Sequence, residues 1–156
     1  MLTTVFLHGL DSSGYGTKGR FFSERFPSML RPDFDGTLME RLQRLSSIVS
    51  DRNNLILVGS SFGGLMAACF AIEHPDKVKR LIMLAPALNF PEYRPPSTKV
   101  TADALLVIGK HDVVTPPAKV VPAAEATFAN LDVQVVDDDH LLHHTFQNMD
   151  WRTLLS

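Results

Sequence analysis

Short uninterrupted apolar runs alternate along this chain with longer stretches in which apolar residues recur every three or four positions. The runs are Thr3–Leu7, Leu55–Val58, Arg80–Leu84, Ala104–Ile108 and Val133–Val136, with a weaker one near Ser28–Arg31. Most lack in-and-out alternation, and continuous apolarity is what a strand buried on both faces shows. The periodic stretches Lys18–Phe26, Leu38–Ser50, Phe62–Glu73, Ala118–Phe128 and Leu141–Met149 predict helices. Pro75 ends the third of them, and Pro116-Pro117 suits the start of the fourth.

Strand and helix in alternation predict an α/β fold: about six mostly parallel strands, helices on both faces, and no cap domain. The one crossover without a helical pattern runs from Ala85 to Thr101 and carries Pro86, Pro91, Pro95 and Pro96. In a parallel sheet, ligands bind beyond the carboxyl ends of the strands, near the point where strand order reverses. The loops that follow strands are therefore where chemistry belongs.

Composition narrows the partners. At 156 residues the chain suits one domain, 1–156, with a hydrophobic core. A net charge of -2 makes no electrostatic case for nucleic acid or an anionic membrane. No stretch has the length of a membrane span. The first strand begins almost at once, without the basic start and apolar run of a secretory signal, so the expected location is cytoplasmic. The single cysteine, Cys69, is expected to be a small buried apolar residue of a helix.

The sharpest chemical signal is Gly59-Ser60-Ser61-Phe62-Gly63, a G-x-S-x-G between the strand ending at Val58 and the helix starting at Phe62. A strand that turns abruptly into a helix presents its central serine at the top of the sheet, as a nucleophile. Small flanking residues let the two backbones approach. Ser60 is expected to shape the turn. The pattern is short enough to arise by chance, so its partners decide.

Three other loops bear on it. His8-Gly9-Leu10-Asp11-Ser12-Ser13-Gly14 follows the first strand, and the N–H of Leu10 with that of Phe62 would face a developing oxyanion. His8 is expected to brace that loop. Lys18 and Arg20, at the start of the next helix, are expected on a solvated face. Lys110 to Pro116 follows the fourth long run, where Asp112 would orient a histidine and stabilise its imidazolium. Asp137-Asp138-Asp139-His140 follows the last run, within reach of both. The order Ser61, Asp112, His140 is the order this triad takes in α/β-hydrolases. His143 and His144 lie a turn further along and are expected to be exposed. Together with His140 and the aspartates they are also metal-ligand types at helical spacing. A serine elbow has no use for a metal, so none is expected, and no cofactor.

Through FLHGLDSSG (Phe6 to Gly14), LVGSSFGG (Leu57 to Gly64), LLVIGKHDVVTP (Leu105 to Pro116) and the DDDH segment ending at His140, the chain resembles the α/β-hydrolase superfamily. Within it, the chain is most similar to the small bacterial esterases of the YqiA-like type. The resemblance implies Ser61 as nucleophile, His140 as general base and then acid, Asp112 as its orienter, and Leu10 and Phe62 as oxyanion donors. It also implies a minimal six-stranded sheet lacking the first two of the superfamily's eight strands. With no inserted lid the pocket is expected to be open and shallow, suited to short or exposed acyl groups. Leu88, Phe90 and Val114 are its expected walls. The activity expected is hydrolysis of a small-molecule carboxylic ester through an acyl-enzyme. A thioesterase with the same triad, or a binding protein on the same fold, are the alternatives.

Overall fold

Thr3–Leu7 (β1), Leu55–Ser60 (β2), Val78–Leu84 (β3), Asp103–Gly109 (β4) and Leu131–Val136 (β5) lie side by side, in that order, in one sheet of the computed structural model, which describes residues 1–156. Every neighbouring pair is parallel. The helices are Thr17–Arg25 (α1), Leu38–Ile48 (α2), Phe62–Glu73 (α3), Pro117–Thr127 (α4) and Trp151–Leu154 (α5).

The continuous apolar runs have a direct cause. In β2, Leu55 and Leu57 enter one hydrophobic cluster while Ile56 and Val58 enter another on the opposite face. In β3, Leu81 and Met83 divide from Ile82 and Leu84 in the same way. The larger cluster lies under α2, α3 and α4. The smaller one lies under α1 and the C-terminal segment, where the Phe22 ring meets Trp151 at 4.9 Å and Phe146 at 5.5 Å.

The weak run near Ser28–Arg31 contributes only a one-residue bridge, Leu30 beside Val5. Two backbone bonds make it, Leu30 N–H to Thr4 O and Phe6 N–H to Leu30 O. Pro27 and Pro32 bracket the segment, and proline donates nothing to a ladder. The bridge still matters, because it sits on the side of β1 away from β2. Strand order therefore reverses beside β1 and β2, which opens the crevice where α/β folds bind ligands.

Two other segments depart from simple periodicity. Residues 141–149 are turns and one 3-10 turn, Phe146–Asn148, in place of the helix expected over Leu141–Met149. Leu142 sits at φ 54°, outside helical space, and the Asp138 carboxylate gathers the N–H groups of His144 and Thr145 and the Thr145 hydroxyl. Side-chain bonds of this kind offer the backbone an alternative to helix.

The connection from Ala85 to Thr101 is irregular, as its prolines imply, but it is tied down along its length. Leu88 (3 % exposed) and Tyr93 (8 %) enter the core, and the Tyr93 hydroxyl pairs with Thr127 Oγ1. Asn89 Nδ2 donates to Val114 O, and Val100 N–H donates to Thr127 O.

Candidate active site

Ser61 stands between β2 and α3 with φ 55° and ψ -115°. A non-glycine residue there carries strain of about 1–3 kcal/mol, which persists only where the surroundings enforce it. Here they do. A Cβ on Gly59 would strike the Gly63 carbonyl, and one on Gly63 would strike the Leu7 carbonyl, so strand, helix and β1 meet too closely for side chains. Ser61 N–H donates to Leu84 O, while Ser61 O accepts from Gly64, Leu65 and Ala87. The turn is held from three sides.

The other two side chains arrive from the ends of β4 and β5. A Cβ on Gly109 would strike the Asp138 carbonyl, so the two loops cross in contact. His140 Nε2 lies 3.1 Å from Ser61 Oγ, and His140 Nδ1 lies 2.7 Å from Asp112 Oδ2. An ionised carboxylate only accepts, so Nδ1 carries the proton and Nε2 is free to accept from the serine. The Asp112 side chain is fully buried, and that of His140 is 20 % exposed.

Asp112 is saturated with donors. Oδ1 accepts from the N–H groups of Val114 (2.9 Å) and Thr115 (2.8 Å), and Oδ2 from the Thr115 hydroxyl (2.7 Å) as well as His140. Burial pushes the carboxyl's pKa upward, but the Thr115 hydroxyl and N–H together with His140 outweigh it and hold it below the usual carboxylate value. The carboxylate is thus kept ionised inside the protein.

Asp138, two residues before His140, anchors the loop that carries it. Burial alone would raise its pKa, yet bonds from Asp139 N–H, the Thr145 hydroxyl, Thr145 N–H and His144 N–H bring it down to about 2. Neither Thr115 nor Asp138 was singled out by the sequence. The spacing Asp112-x-x-Thr115, that of a side chain capping its own turn, was the available signal for the first.

Of the other residues in question, His8 is buried, with Nε2 accepting Phe34 N–H (2.8 Å) and Nδ1 bonded to Gly9 O (2.6 Å). It braces the loop. An ideal Cβ on Gly9 would lie 3.5 Å from Ser61 Cβ, so the loop borders the elbow. The Leu10 N–H donates to no protein acceptor, and the Phe62 N–H opens α3, where amides lack helical partners. The Leu10 and Val114 side chains are 56 % and 58 % exposed, on the rim. Phe90 packs edge-on against Phe62 at 5.6 Å, and Leu88, expected as a wall, lies in the core.

Lys18 is not simply solvated: its ammonium donates to Leu141 O (2.9 Å) and lies over the Phe146 ring, and burial lowers its pKa against the pull of Asp139 and Asp138. His143 pairs with Asp139 and His111 with Asp137 at the surface. No three His, Cys, Asp or Glu side chains converge as a metal site. Burial raises the Cys69 thiol to about 11, so it is no nucleophile at neutral pH.

Comparison with known proteins bears on the fold and on the segment that holds Ser61. Residues 5–102 match the family described as serine aminopeptidase, S33, a stretch that contains Ser61 and ends before Asp112 and His140. A (lyso)-N-acylphosphatidylethanolamine lipase of Bos taurus is 34 % identical over 113 residues, covering 68 % of this chain and 31 % of that one. The chain spans less than half the length of the curated relatives it matches. Among solved structures, a chain from Agrobacterium vitis S4 superposes with a TM-score of 0.80 at 17 % identity, covering 99 % of this chain and 88 % of that one. Est1E from Butyrivibrio proteoclasticus, with ferulic acid bound, superposes with a TM-score of 0.75 at 17 % identity, covering 93 % and 84 %. The likeness to YqiA-like esterases rests on the motifs alone. By its matched residues, its all-parallel sheet and its strained serine elbow, the chain belongs to the serine aminopeptidase (S33) family of α/β-hydrolases.

Proposed function

We propose that residues 1–156 act as a carboxylic-ester hydrolase that works through a covalent acyl-enzyme. One observation carries this: His140 bridges Ser61 Oγ and Asp112 Oδ2 through its two ring nitrogens, at 3.1 and 2.7 Å. Ser61 Oγ attacks the acyl carbonyl as His140 Nε2 takes its proton, and the carbonyl π pair moves onto oxygen. The Leu10 and Phe62 N–H groups donate hydrogen bonds to that oxyanion. The tetrahedral intermediate collapses, the ester C–O bond breaks, and His140 returns the proton to the departing alcohol. Water then repeats the sequence against the acyl-serine and releases the acid.

The names of two curated relatives, both lipases, support ester bonds as the target. The rim position of Leu10 and Val114, with Phe90 against Phe62, suits a short or exposed acyl group.

The test is intact mass after incubation with a fluorophosphonate, on wild type and on Ser61→Ala. A single adduct lost in the variant supports the reading. No adduct on a folded protein overturns it and leaves a binding role for the fold. With an adduct in hand, paired oxygen esters and thioesters of equal chain length separate esterase from thioesterase.

A further inference from the structure

Arg41 is a buried cation without a counter-ion. It projects from the second turn of α2, is 5 % exposed, and makes no ion pair. Its Nε donates to Gly36 O at 3.0 Å, while its Nη1 is buried with no acceptor. Guanidinium offers five donors, and buried charges are ordinarily paired. The adjacent carboxylate of Glu40 is turned to Thr37 N–H, in the capping box that starts α2, and forms no ion pair with Arg41. Two other arginines have an unpartnered Nε, Arg31 and Arg52, but both are partly exposed and have Nη1 bonded within the chain. Arg41 alone is enclosed.

Its position brings that donor to the elbow. The guanidinium carbon lies 5.2 Å from the centre of the Phe62 ring, and Phe62 directly follows Ser61. A cation held over that ring keeps its unpaired N–H donors for an anion. Resting on the acyl-enzyme reading above, we propose that Arg41 forms an anion subsite, so that the preferred substrates are esters carrying a carboxylate or phosphate away from the scissile bond.

The test uses two matched pairs of esters: p-nitrophenyl pentanoate against p-nitrophenyl hemiglutarate, and a monoacylglycerol against the same monoacylglycerol 3-phosphate. Wild type, Arg41→Gln and Arg41→Lys are each first shown to be labelled at Ser61. The expected result is a kcat/KM ratio favouring the anionic member of at least one pair by about tenfold or more. That ratio falls to about one in Arg41→Gln and to an intermediate value in Arg41→Lys, as expected for loss of a forked donor. The pair that responds identifies carboxylate or phosphate as the anion.

Equal ratios in both wild-type pairs, or a ratio unchanged in Arg41→Gln, overturn the subsite. Should Arg41→Gln fail to fold, Arg41→Lys with competitive inhibition of wild type by glutarate and by glycerol 3-phosphate decides the matter, and no competition by either overturns it. Calorimetric binding of the same two anions to wild type keeps the test separate from Ser61: binding without labelling would sink the acyl-enzyme and leave the subsite standing.

Discussion

Thr115 Oγ1 lies 2.7 Å from Asp112 Oδ2, the same oxygen that accepts from His140 Nδ1. The hydroxyl is also 3.1 Å from His140 Nδ1, so one buried threonine touches both groups that must stay aligned with Ser61. Thr115→Val keeps the shape and removes the donor. The expected result is a loss of about tenfold in kcat, the scale of one hydrogen bond to a charged group. The Asp112 pKa rises, since one of the bonds that oppose the effect of burial is gone. Thr115→Ser should recover most of the rate, and equal activity in Val and Ser variants would remove the role.

Ser61→Ala and His140→Asn should each lower kcat by about 10⁶, and Asp112→Asn by about 10⁴. Combining two of them should cost little more than one, because residues that act as a unit are non-additive. Kinetics on p-nitrophenyl butyrate checks this, and additive losses would mean the three side chains do not act together.

Gly63→Ala should destabilise the fold by about 3 kcal/mol or more, since its Cβ meets the Leu7 carbonyl, backbone that cannot swing aside. Chemical unfolding measures it. A near-native midpoint would mean that β1 and α3 can separate, and would weaken the account of the strained elbow.

Asp138 ties stability to pH. Its folded pKa of about 2 lies below the ordinary 3.8, so its contribution is present above about pH 4 and is lost as pH falls towards 2. The shift corresponds to something on the order of 2 kcal/mol. Asp138→Asn should be less stable than wild type at neutral pH and should show a flatter fall in urea midpoint over that acid window. Parallel curves for the two proteins would assign the acid sensitivity elsewhere.

Much of this architecture is legible in the sequence. The continuous apolar runs of β1 to β4 were legible because burial on both faces writes such a pattern, while β5 is an edge strand with half-buried and exposed positions. Ser61, Asp112 and His140 were legible because each follows a strand, in the order the fold demands. What escaped notice depends on contacts distant in sequence. The Leu141–Met149 periodicity looked helical, yet Asp138 claims its amides and Leu142 turns out of helical space. Leu88 looked like a pocket residue but faces the core. Arg41 carried no signal at all: an arginine on an amphipathic helix is unremarkable until its surroundings are seen.

The anchoring of the Ala85–Thr101 connection limits how far it can move. Its side chains are sunk in the core at Leu88 and Tyr93, and its backbone is pinned at the elbow by Ala87 and at α4 by Val100. Lifting a segment fastened in this way would strip two core side chains and several backbone bonds at once, so this stretch behaves as a fixed wall and not as a flap.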